Sequence, residues 1–175
     1  MKNSTLFIKV VAVLSLFALI SACKKQAHSA TLTYYFKTTP STQFDSLKFS
    51  FGYTRAYIIS STDTAIASVY LEPQPVTLNT KTTNIVKLGS SVLGFDHIVG
   101  YNFFLNNANV FKNNAQTPLV ETDYWEKTYT TTSIVPKADQ NIDIIFEIVT
   151  DSSIVKLANG KFKFFPVIKT TATVR

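Results

Sequence analysis

Cysteine, histidine, glycine and acidic residues are all scarce in this chain, and each scarcity narrows its chemistry. One cysteine, Cys23, excludes a disulfide within the chain and any multi-thiolate metal centre. Two histidines, His28 and His97, are far apart in sequence and do not suggest the three or four ligands of a zinc site. A Ser-His-Asp triad would have to use His97, with Asp96 beside it. The stretch Gly89-Ser90-Ser91-Val92-Leu93 lacks the glycine that a nucleophile elbow places two residues after the serine. Eleven acidic residues stand against seventeen basic ones, but the basic residues are spread along the chain. No basic stripe with interleaved aromatics is present, so nucleic acid is not an expected partner. No internal repeat or low-complexity tract is visible, and no helical pattern longer than a turn or two follows the first 22 residues.

The longest apolar run, Val10 to Ile20, is roughly half of the ~20 residues that a membrane-spanning helix needs. Lys2 and Lys9 precede it, and Ile20-Ser21-Ala22-Cys23 ends it with small residues. That is the layout of a secretory signal, and Ile-Ser-Ala-Cys looks like a bacterial lipobox. The expected division is a lipoprotein signal peptide at 1–22, a lipidated tether at 23–30 and one domain at 31–175. The mature chain would start at Cys23 with lipid on its sulfur, making the membrane its first partner. The alternative is a plain secretory signal that leaves Cys23 as a free thiol. Removing residues 1–22 lowers the basic residues to fifteen and the net charge from +6 to +4. Lys24-Lys25 then lies beside the lipid, as a solvated tether end or as a contact for anionic head groups.

From Thr31 onward the apolar residues recur every second position, the spacing of half-buried strands. Leu32, Tyr34 and Phe36 share one face. Leu47, Phe49, Phe51 and Tyr53 share another, with Gly52 marking a bulge or bend in a strand that runs on towards Ile58. Further strands are expected at 65–71, 76–78, 99–106 and 142–149, while 87–94 is ambiguous. The asparagine pairs at 106–107 and 113–114 suggest a hairpin around Ala108 to Lys112. Ser152 to Leu157 suggests one helical turn. Asn159-Gly160 suggests a turn before a last strand, 161–173, that Pro166 interrupts. The fold class is therefore all-β, an antiparallel sandwich of about seven strands.

The block Asp151-Ser152-Ser153-Ile154-Val155, Asn159-Gly160-Lys161-Phe162 and Phe165-Pro166-Val167-Ile168 resembles the ending of a family of bacterial lipoproteins, the domain-of-unknown-function 4382 family. Leu32 to Pro40, Phe44 to Ile58 and Gly100 to Leu105 are similar to its earlier strands, although Thr38-Thr39-Pro40 lacks the aspartate usual in the family's first turn. The resemblance implies a small transthyretin-like (prealbumin-like) sandwich in a bacterial lipoprotein. It implies no reaction and no cofactor.

Two carboxylate groupings remain. Asp139, Asn141 and Asp143 place oxygen ligands at i, i+2 and i+4, as a calcium loop begins, but the next glycine and the distal glutamate are missing, so a polar turn is expected and no metal site. Glu121, Asp123 and Glu126 cluster without the spacing that would define a glycosidase pair. The candidate ligand-binding residues are Tyr124, Trp125 and Tyr129 with Glu121 and Asp123, because aromatic rings with a polar handle suit stacking on a sugar or gripping a peptide. The alternative is that Trp125 plugs the core between the sheets. The expected protein is a lipid-anchored, non-enzymatic binding, adhesion or scaffolding module of the envelope, with an envelope protein or glycan as partner. A glycan-acting hydrolase and a small-ligand carrier are the alternatives. Lys24-Lys25-Gln26-Ala27-His28 carries no acidic stretch, which favours the periplasmic face of the outer membrane over the cell surface. Nothing in the sequence sets an oligomeric state.

Overall fold

A computed structural model describes residues 29–59, 64–69, 71–94, 97–113, 115–117, 119–120 and 128–175. The described residues form three sheets and one short helix. The first sheet orders its strands β13 (Ile168–Val174), β10 (Asn141–Ile148), β1 (Ala30–Thr38) and β5 (Val86–Leu93). The second sheet is built on two long strands, β2 (Ser46–Ile59) and β6 (His97–Lys112). β4 (Gln74–Asn79) pairs with the first half of β2, and β3 (Thr64–Val69) with its second half. β9 (Thr128–Ile134) pairs with the start of β6, and β7 (Ala115–Thr117) with its end. A small third sheet joins β11 (Ile154–Lys156), β12 (Phe162–Phe164) and β8 (Leu119–Val120). The helix α1 (Thr150–Ser153) is a single turn. Among the described residues no helix is long and apolar enough to cross a membrane.

The all-β sandwich thus stands, with thirteen strands among the described residues in place of about seven. Several of the additional strands are only two or three residues long, too short for a period of two to be read. One pairing departs from the antiparallel expectation: β1 and β10 run parallel, from Thr31 opposite Asn141 to Thr38 opposite Ile148. Alternation reports which face a residue takes and carries no information about the direction of the neighbouring strand.

The two main sheets meet through aromatic rings. Phe36 lies 5.3 Å from Phe49, 5.9 Å from Phe51, 5.7 Å from Phe103 and 5.6 Å from Phe146, centroid to centroid. Tyr34 meets Tyr101 edge-on at 6.1 Å. Leu32, Ile142, Ile144, Ile148, Leu47 and Ile98 complete this layer, all buried. Burying one such side chain is worth about 1.5–3 kcal/mol, and an aromatic pair about 0.5–1.5 kcal/mol more.

Gly52 changes the reading of β2. Phe51 pairs with Leu105, yet Tyr53 pairs with Phe104, so Gly52 is an extra residue on β2. A Cβ at Gly52 would lie 3.2 Å from the Phe104 carbonyl oxygen, which explains why this position has no side chain. The bulge switches parity. Leu47, Phe49 and Phe51 face the core before it; Thr54, Ala56 and Ile58 face the core after it. Tyr53 therefore sits on the outer face, not with Phe51 as its spacing suggests. The asparagine hairpin also moves. β6 continues through Asn107, which adopts a positive φ of 52°, and the turn falls at Asn113, φ 50°, ahead of β7.

The C-terminal block is a clasp. Asp151 accepts a hydrogen bond from Ser41 Oγ at 2.6 Å. Ser153 Oγ donates to the Val149 carbonyl at 2.8 Å and accepts from the Val167 amide at 2.9 Å. The Phe165 amide donates to the Ser153 carbonyl at 2.7 Å. Pro166, which has no N–H to donate, lies in the connection that splits the expected last strand into β12 and β13. Gly160, at φ +80°, closes the turn between β11 and β12. The helical turn falls earlier than expected, and Ile154 to Lys156 is strand.

Candidate functional site

Of the residues singled out from sequence, Cys23, Glu121, Asp123, Tyr124 and Trp125 lie outside the described residues. Tyr129 lies in β9, where its backbone is the cross-strand partner of Asn102. That register leads to a group of residues which the sequence pattern did not bring together. On the outer face of the second sheet, Tyr53 pairs with Phe104, Arg55 with Asn102, and Tyr57 with Gly100. One row therefore runs Arg55, Asn102, Tyr129 across three strands. Gly100, without a side chain, leaves the position opposite Tyr57 low.

The side chains in this face are tightly organised. The Tyr53 and Phe104 rings stack with centroids 3.9 Å apart and planes 20° apart. The Arg55 guanidinium lies 5.4 Å from the Tyr53 centroid and 5.9 Å from that of Phe104. Asn102 Nδ2 donates to Tyr57 Oη at 2.7 Å. The Asn102 carbonyl accepts from Thr54 Oγ1 at 2.7 Å, tying the face to the core beneath. Tyr53, Arg55, Tyr57 and Phe104 are half-buried. None of the ion pairs among the described residues involves Arg55. A guanidinium carries five N–H donors, and its attraction to ring faces leaves the in-plane donors for a ligand. The signal lies in Gly52: the bulge or bend that the sequence marks there inverts the alternation after it, so Tyr53, Arg55 and Tyr57 fall on one outward face.

Other places in the fold offer less. A surface cavity of about 380 Å³ is lined by Leu71, Glu72, Pro73, Gln74, Leu88, Gly89 and Ser90. It contains a single carboxylate, and Gln74 Nε2 is already committed to the Leu88 carbonyl at 2.7 Å. His97 Nε2 lies 3.0 Å from Ser133 Oγ in an exposed position, and Asp96 lies outside the described residues. Asp139 is a turn residue at φ 61°, its amide donating to the Ser29 carbonyl. Asp143 is in β10 and pairs with Arg175 at 2.7 Å. Among the described residues no three His, Cys, Asp or Glu side chains converge.

Among the described residues, two buried tyrosines are shifted from their ordinary titration. Burial pushes the Tyr34 hydroxyl up to about 12, although Ser91 Oγ lies 3.1 Å away. Burial, reinforced by Tyr34 alongside, pushes Tyr101 still further up. Both rings belong to the core between the sheets, and among the described residues Tyr101 Oη makes no well-formed hydrogen bond.

Compared with protein-family models, curated proteins and solved structures, the chain matches none of them. The functional reading accordingly rests on the arrangement of its own residues.

Proposed function

We propose that this chain is a lipid-anchored, non-enzymatic binding module of the bacterial cell envelope, held by acyl chains on Cys23 at the periplasmic face of the outer membrane. Its ligand face is the outer surface of the second sheet, and its ligand is a glycan of the envelope. The resemblance of residues 151–168 to the lipoprotein family and the leader-like start of the chain support the anchor. The single observation that carries the binding role is Arg55, set over the Tyr53–Phe104 stack beside the Asn102–Tyr57 pair, with no carboxylate partner among the described residues. Sugars present both apolar C–H faces and hydroxyl acceptors, which rings and guanidinium or amide donors satisfy together.

The test is co-sedimentation of the mature protein with isolated envelope glycans, comparing wild type with Arg55→Ala, Tyr57→Ala and, on the other sheet, Lys37→Ala. Loss of about tenfold in affinity, about 1.4 kcal/mol, is expected for the first two and no change for the third. Equal binding by all four proteins would place the ligand elsewhere. Capture of an envelope protein without glycan would replace the glycan with a protein partner.

A further inference from the structure

The strands place a ring of exposed apolar side chains at the end of the sandwich where the chain enters. Ser29 and Ala30 begin β1. The loop after β9 is bonded to that entry: the Asp139 amide donates to the Ser29 carbonyl, and the Thr31 amide to the Gln140 carbonyl. This loop carries Val135, 60% exposed, and Lys137, also exposed. Val92, 67% exposed, is the cross-strand partner of Thr31. Val174, 56% exposed, pairs with Ile142, itself opposite Leu32. In the second sheet, Ile59, 42% exposed, pairs with His97 at the start of β6, one residue from the Ile98–Ile134 pair. The Tyr34–Tyr101 contact aligns this end of the second sheet with the same end of the first. Four large aliphatic side chains from four strands or their flanks thus surround the entry point.

Chain length limits what can lie next to them. Five residues lie between Cys23 and Ser29, and the six Cα-to-Cα steps from one to the other span at most about 20 Å when extended. Lipid on Cys23 would hold this end of the fold within that distance of the bilayer. Resting on the anchored reading above, we propose that the entry end seats directly on the lipid surface, with Val135, Val92, Val174 and Ile59 reaching the headgroup boundary. Lys137 and the Arg175 guanidinium, 53% exposed, flank this rim. Among the described residues, Arg175 is already neutralised by Asp143 and Asp139 is an exposed acid nearby, so the seat proposed is mainly apolar and only weakly dependent on anionic lipid. Exposed apolar side chains gathered at one end fit a membrane contact, and the anchor supplies the local concentration that such a small patch needs. The seat directs the opposite end of the sandwich, with Phe165 and the β11–β12 turn, away from the membrane.

The experiment uses the natively processed, full-length lipoprotein reconstituted in vesicles of phosphatidylethanolamine and phosphatidylglycerol. Because Cys23 is acylated, Val135→Cys, Val174→Cys and Phe165→Cys each provide a single thiol for an environment-sensitive fluorophore. Blue-shifted emission and several-fold stronger quenching by a headgroup-level lipid quencher are expected at 135 and 174, and neither at 165. An acylated protein whose three labels are equally water-exposed overturns the seat while leaving the anchor intact. Labels buried at all three positions would overturn the directed orientation. Absence of acyl mass on Cys23 in the same preparation refutes the anchor itself, and the seat with it. Both base positions are more than half exposed, so two independent labels guard against local damage at either one.

Discussion

The two main sheets share a core but finish their outer faces differently. On the first sheet, Lys37 meets Glu147 at 2.9 Å and Arg175 meets Asp143 at 2.7 Å. Thr33 accepts from Arg175 at 3.2 Å and from Ser90 at 3.2 Å. These groups answer one another across neighbouring strands, which is how an exposed sheet face is kept soluble and in register. On the second sheet, Arg55 is set against rings, the Asn102 side-chain amide donates to Tyr57, and the Asn102 backbone carbonyl accepts from Thr54. The first face is closed electrostatically; the second retains donor capacity and flat apolar area. A ligand gains more on the second, because no ion pair among the described residues has to be broken before the Arg55 guanidinium can be used.

The sharpest way to break this comparison is to damage what both sheets share. Phe146 belongs to the first sheet, yet its ring lies 5.2 Å from Tyr101 and 4.5 Å from Phe103 on the second, and 5.6 Å from Phe36 on its own. Phe146→Ala should cost about 3–5 kcal/mol in urea unfolding. Arg55→Ala should cost no more than about 1 kcal/mol, the worth of a solvent-accessible contact between a cation and a ring. Comparable losses would mean that the Arg55 cluster is structural and not a binding face.

Alkali probes the same junction. In the unfolded chain a tyrosine ionises near pH 10. Burial raises Tyr34 to about 12 and Tyr101 further in the folded state. A raised folded value leaves stability intact below pH 10 and removes it above, because only the unfolded form gives up its protons there. Each such tyrosine should contribute a loss of about 1.4 kcal/mol per pH unit between roughly 10 and 12. Tyr101→Phe should reduce that slope by about half. Its effect on neutral-pH stability should be small, within about 1 kcal/mol, since among the described residues Tyr101 Oη makes no well-formed hydrogen bond. An unaltered slope would show that the hydroxyl reaches water in the folded state.

How much of this was legible follows from what alternation encodes. Leu32, Tyr34 and Phe36, and Ile142 to Ile148, announced both strands and their buried faces, because a period of two maps directly onto a pleat. The parallel match of β1 with β10 was not legible, since pairing between distant segments leaves no local trace. Tyr53 was assigned to the wrong face because one inserted residue inverts every position after it. Pro166 and Gly160 were readable as breaks, and they lie in the connection and turn that bound β12. Gly52→Ala tests the bulge itself. The new methyl would meet the Phe104 backbone oxygen at 3.2 Å, so a loss of about 1–2 kcal/mol is expected. It should come with weaker glycan binding, because Tyr53 and Phe104 must move. A silent Gly52→Ala would show that the bulge does not hold the outer face in place.

The smallest effect sharpens the contrast between the faces most directly. Lys37 and Glu147 are directly opposite on β1 and β10, with side chains 30% and 25% exposed. A double-mutant cycle to alanine should yield a coupling of about 0.2–1 kcal/mol, and 1 M salt, where the Debye length is about 3 Å, should erase most of it. The matching cycle on the other sheet, Arg55→Ala with Tyr53→Ala, should give a coupling of about 0.5–1 kcal/mol that survives salt better, because attraction to a ring is short-ranged and partly dispersive. Equal salt sensitivity in the two cycles would mean that Arg55 is held by a screened charge after all. The second face would then be closed like the first, and the case for a ligand there would fall.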